Sequence, residues 1–193
     1  MKLIKPVKSQ YSKLKEFRIR SSLINRILIG SLIILFLSFF VNVKLIFFLV
    51  VAAVFNALLQ RVQLQTNMPT DFELSTLSTV LVTAAFGLKW GIVNAIFSKL
   101  VASIYTGSII IDHFFMILTY INAAFLTTLF GSSNLVFTGI ITVLINNVIM
   151  FFISKNILGI DPMANTTYTL TNLVFNSIMF SVLANPLLFL LKL

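Results

Sequence analysis

Lys99 stands in the middle of an apolar run, 91–107, where a charge is hardest to place. An uncompensated ammonium at that depth in a bilayer costs about 2.5–3.5 kcal/mol on insertion scales. It therefore needs a carboxylate, a water-filled pocket or an anionic ligand, and its stem can snorkel toward Ser103 and Tyr105. Glu73 and Asp112 are the candidate carboxylates. His113, the single histidine, follows Asp112 directly. A carboxylate beside an imidazole suits a proton relay, and at the start of a helix it serves equally well as an interfacial pair. Asparagines recur at Asn56, Asn146, Asn147, Asn172 and Asn176 inside otherwise apolar runs. There they act either as ligand contacts or as hydrogen-bonding glue between helices. Catalysis finds no support. The chain has no cysteine, no H-E-x-x-H, no G-x-S-x-G and no Walker A sequence, so the reading is that it is not an enzyme and carries no cofactor.

The elements that position these groups are apolar runs at 27–41, 45–60, 72–88, 91–107, 114–130, 135–154 and 171–191. Most approach the roughly 20 residues that a helix needs to cross hydrocarbon. Strand-like alternation is missing, which excludes a β-barrel. The fold class is all-α: a polytopic transmembrane bundle with a six-helix core and an extra N-terminal apolar helix. Two local signals support the runs. Thr70 and Glu73 have the spacing of a capping box that starts a helix, which is also the simplest explanation of Glu73. Asp161-Pro162 breaks the last long loop.

Connections at Asn42–Lys44, Lys89–Trp90 and Gly131–Asn134 are short. Those at Gln60–Asp71, Gly107–His113 and Lys155–Leu170 are longer. Strict alternation puts all the short links on one membrane face and all the long ones on the other. Asn56, Glu73, Lys99, Tyr105, Asp112, His113, Asn146, Asn147, Asn172 and Asn176 then share the long-loop half. The short-loop half holds chiefly Asn94 and Asn185. A binding cavity open to one face would produce that asymmetry, and the ten residues are the candidate substrate contacts.

Composition sets the solvent. Hydrophobic residues make up 59% of the chain and charged ones 10%, with mean hydropathy +1.04. Soluble domains average roughly 25% charged. The lipid bilayer is the natural partner, and the expected location is the cell membrane, as a multi-pass protein. Of fourteen Lys/Arg, eight fall in residues 1–26: Lys2, Lys5, Lys8, Lys13, Lys15, Arg18, Arg20 and Arg26. A basic head beside an apolar run reads as a cytoplasmic anchor on anionic lipid, not a nucleic-acid surface. The segment is too long in its basic part, and lacks the cleavage site, for a signal peptide. Residues 1–26 are thus a cytoplasmic segment and 27–193 a single helical domain.

The stretch Val51-Ala52-Ala53-Val54-Phe55-Asn56-Ala57 resembles the alanine motif on the first core helix of substrate-binding S components of energy-coupling factor (ECF) transporters. Ala84-Ala85-Phe86-Gly87-Leu88-Lys89-Trp90-Gly91 resembles the family's Gly-x-x-x-Gly turn between the second and third core helices. The six runs from Leu45 onward match the family's six-helix core, so the resemblance covers about three quarters of the chain. The resemblance implies a vitamin- or micronutrient-capturing subunit whose site opens outward. It implies a transmembrane coupling subunit, packed on Ala53 and Ala57 and driven by ABC ATPases, as partner. Small residues four apart do permit close helix approach, within this bundle as readily as between chains. The extra run at 27–41 departs from the family pattern. If it spans, a cytoplasmic N-terminus puts the long loops inside. If it does not, they face out, as an S component requires.

Uptake of a small molecule is the first functional expectation. The alternative is a scaffold resembling MreD, the rod-shape membrane protein, which recruits partners without transport. A capture subunit should keep a cavity among the polar residues, whereas a scaffold should have that region packed shut.

Overall fold

The computed structural model describes residues 30, 42–66, 70–131 and 133–193. The chain divides into two compact units, Met1–Ile46 and Phe47–Leu193. Apart from Gly30 and residues 42–46, the first unit lies outside the described residues, and with it the expected basic segment and the apolar run at 27–41.

Six helices occur among the described residues: α1 (Val43–Thr66), α2 (Ser75–Phe86), α3 (Leu88–Thr106), α4 (Ile111–Phe130), α5 (Leu135–Asn156) and α6 (Pro162–Lys192). No strand is present among those residues. Helices α1, α4, α5 and α6 are long and apolar enough to cross a membrane. By length and composition they mark a helical membrane protein.

The centre of the second unit is α2. Its 12 residues span about 18 Å, and Ser75 through Thr83 are all buried. It touches α3, α4, α5 and α6. A helix without an exposed face must satisfy its polar side chains internally. The hydroxyls of Ser78 and Thr83 do so by donating to the carbonyls of Ser75 and Thr79, at 3.1 and 2.7 Å. Asn94 Nδ2 reaches across from α3 and donates to Ser78 Oγ and Thr79 Oγ1, at 2.9 and 3.0 Å. Around this polar strip, Leu77, Val80, Leu81, Ala123, Val143, Phe180 and Ala184 form the apolar core.

One glycine permits a tight turn and another a close helix approach. Gly87 alone separates α2 from α3 and has φ +89°, a conformation that a side chain would strain. Gly139 on α5 faces the Phe180 ring of α6, and an added Cβ there would overlap the ring.

Three local expectations are corrected. Thr70 and Glu73 form no capping box, because α2 starts at Ser75 with Leu74 as its cap residue. The Leu74 N–H donates instead to Asn56 Oδ1 of α1, at 3.0 Å. Asp161-Pro162 opens a helix instead of breaking a loop. Asp161 Oδ2 accepts from the N–H groups of Met163 and Ala164, at 3.0 and 3.1 Å, and Pro162 takes the first helical position. Helices α1 and α6 also outrun their apolar stretches, reaching Thr66 and starting at Pro162. The extension of α1 is largely exposed, while that of α6 buries Asn165.

Candidate functional site

These longer helices and the connections between them surround a cavity of about 470 Å³ at the long-loop end of the second unit. The end of α1 contributes Gln60, Gln63 and Leu64, and the segment before α2 contributes Asp71. Lys99 enters from α3, while Ser108 and Ile110 come from the turn that follows it. The first turns of α4 supply Ile111, Asp112, His113 and Met116. Asn147, Met150 and Ser154 of α5, Leu158 and Ile160 of the next connection, and Asn165, Tyr168 and Thr169 of α6 complete the wall.

Lys99 is 5% exposed. Its one hydrogen bond among the described residues runs from Nζ to Gln60 Oε1, at 3.4 Å. Gln60 is oriented for this by its own amide, which donates to Thr106 Oγ1 at 3.1 Å. Asp71 is held at two points. Its N–H donates to Thr171 Oγ1 at 3.1 Å, and its Oδ2 accepts from Asn172 Nδ2 at 2.9 Å. Asn172 is fixed in turn by Asn147, whose Nδ2 donates to Asn172 Oδ1 at 3.1 Å. His113 Nδ1 shares a proton with Ser103 Oγ at 2.9 Å. Asp112 Oδ1 is buried and has no hydrogen-bonding partner among the described residues.

Two acids lie in the connection outside the helices. Burial raises the Asp71 carboxyl above its ordinary value, against the pull of Lys99 and the Asn172 hydrogen bond. Burial likewise pushes the Glu73 carboxyl up to about 8, with Asp71 adding to the rise and Lys99 opposing it. Glu73 does not line the cavity. It sits behind it, accepting from Thr76 Oγ1 at 3.0 Å and from the Tyr120 hydroxyl.

Of the ten candidate contacts, the cavity brings together Lys99, Asp112, His113 and Asn147. Asn172 stands one shell out, as the link between Asn147 and Asp71. Asn56 Nδ2 is taken by Ser75 Oγ at 2.8 Å, which makes it a clamp between α1 and α2. Asn146 joins α5 to α4, donating to the Thr119 carbonyl and accepting from Asn122, both at 2.8 Å. Asn176 donates to the Asn172 carbonyl at 3.2 Å. Tyr105 is 50% exposed and accepts from Arg61 at 2.8 Å, away from the cavity. Ala53 and Ala57 are 1% and 4% exposed, so the chain already covers the small-residue face expected to meet a partner.

Sequence reasoning missed Gln60, Gln63, Asp71, Ser154 and Asn165. All lie in or beside stretches that read as loops because they are polar. For Asn165 the available signal was the run of amide and hydroxyl side chains at 165–172. Among the described residues no three of His, Asp and Glu converge to hold a metal ion. Comparison with known proteins finds no match: no family model fits the chain, and no curated protein or solved structure is significantly similar to it.

Proposed function

We propose that this protein is a membrane-embedded subunit that captures a small molecule for uptake, of the kind found as S components of ECF transporters. In this reading it lies in the cell membrane as a multi-pass protein and relies on a separate coupling subunit and ABC ATPases for energy. The observation that carries the reading is the cavity at the long-loop end. At about 470 Å³ it falls in the size range of small-molecule sites, and it gathers Lys99, Asp71, Asp112 and His113 from three different segments. A scaffold of the MreD kind has no use for such a space. The burial of Ala53 and Ala57 gives no support to docking through that motif, so a coupling subunit would meet another surface of the bundle.

An outward-facing cavity requires Gln65 and Thr166, both exposed near the long loops, to lie outside the cell, with exposed Ser133 inside. The cysteine-free sequence allows single cysteines at these positions to be labelled in intact cells with an impermeant thiol reagent. We expect labelling at 65 and 166 and none at 133. Labelling at 133 alone would place the cavity toward the cytoplasm and favour the scaffold.

A further inference from the structure

We propose that the cavity takes a small zwitterion, with an ammonium lodged against Asp112 and Asp71 and a carboxylate against Lys99. The inference rests on the capture reading and names its substrate class. Hydrogen-bonding capacity left unused by charged residues that line the cavity carries it.

Lys99 has three protons to donate and spends one on a long contact to the neutral Gln60 amide. A buried ammonium so weakly held requires an acceptor, and an anionic one answers it best. Asp112 presents the opposite demand. Its Oδ1 is buried with no donor among the described residues, and an unmet carboxylate oxygen is expensive to bury. Asp71 commits Oδ2 to Asn172, while its other oxygen accepts no hydrogen bond among the described residues.

The charges select against simpler ligands. A plain anion drawn to Lys99 would face two carboxylates, and a plain cation drawn to those carboxylates would face Lys99. A molecule bearing both charges meets each with its complement. The same wall also includes Met116, Met150 and Tyr168, apolar surface that suits a hydrocarbon spacer in the ligand.

Three probes of matched length test this on the full-length protein in mild detergent: δ-aminovalerate carries both charges, valerate only the anion and n-pentylamine only the cation. Affinity is read by ligand-induced thermal stabilisation and by calorimetry. We expect δ-aminovalerate to bind at least about tenfold more tightly than either singly charged probe. Lys99→Met should reduce its affinity to that of n-pentylamine, and Asp112→Asn should reduce it to that of valerate. The comparison of probes on the unsubstituted protein stands even where a variant fails to fold. Equal binding of n-pentylamine or of valerate would overturn the zwitterion assignment, as would no binding of any probe up to about 10 mM. Failure of the capture reading itself is seen separately, in the labelling of positions 65, 133 and 166. If 65 and 166 label from outside and the probes fail, the zwitterion falls and capture stands.

Discussion

At the scale of single residues, the polar side chains divide into those that tie helices together and those with capacity to spare. Asn56 belongs to the first group, since its amide serves both Ser75 Oγ and the Leu74 N–H. Replacing it with alanine leaves a buried N–H at the start of α2 without an acceptor. Asn56→Ala should cost about 1–3 kcal/mol, read as a lower unfolding midpoint in detergent, without altering the affinity of the cavity. Glu73 makes a pH prediction. Its carboxyl rises from an ordinary 4.5 to about 8 in the folded protein, so the folded state holds a proton that the unfolded chain has lost. Stability from this source is complete below 4.5 and disappears as the pH rises through about 8. The unfolding midpoint should fall across that window, and Glu73→Gln should make the slope shallower; an unchanged or steeper slope would contradict the assignment. The sequence reveals which polar residues lie within apolar runs, Lys99 foremost. It does not reveal that Asn56, Asn146 and Asn176 find protein partners, because a partner choice is fixed by rotation about each helix axis. A one-residue change in helix phase turns a side chain by about 100°.

The helices themselves were legible where their composition was uniformly apolar. All six runs from 45 onward contain a helix, but the short connection expected at Lys89–Trp90 falls at Gly87, with both of those residues inside α3. Their ends were not legible where polar residues continue the helix beyond its apolar stretch. Asp161-Pro162 shows why. The same pair ends one kind of segment or starts another, and the choice depends on whether Met163 and Ala164 turn their N–H groups onto the Asp161 carboxylate. Asp161→Ala should therefore fray the first turns of α6, at a cost of about 1 kcal/mol. Amide hydrogen exchange at Met163 to Asn165 should accelerate while α4 keeps its protection. Because Asn165, Tyr168 and Thr169 wall the cavity, ligand affinity should fall as well. Protection unchanged at 163–165 would show that the cap contributes nothing.

For the whole molecule, the described connections do not keep the expected alternation of short and long, since 107–110 and 131–134 are both four residues. Polar groups nonetheless collect at the end of the bundle read as the long-loop end. The second unit does hold a cavity there, lined from α1, α3, α4, α5 and α6. The cavity's own walls were half hidden, since Gln60 and Asn165 stood at or within expected loops until the helices were seen to extend, and Asp71 comes from a connection. The central claim is that this space is built for a small molecule. Native mass spectrometry of the full-length protein, released from mild detergent after purification from cell membranes, tests it most directly. The account expects a population carrying a small-molecule adduct that collisional activation removes and that Lys99→Met lacks. A protein that retains bound lipid under the same conditions, yet shows no small-molecule adduct and no difference from Lys99→Met, would contradict it.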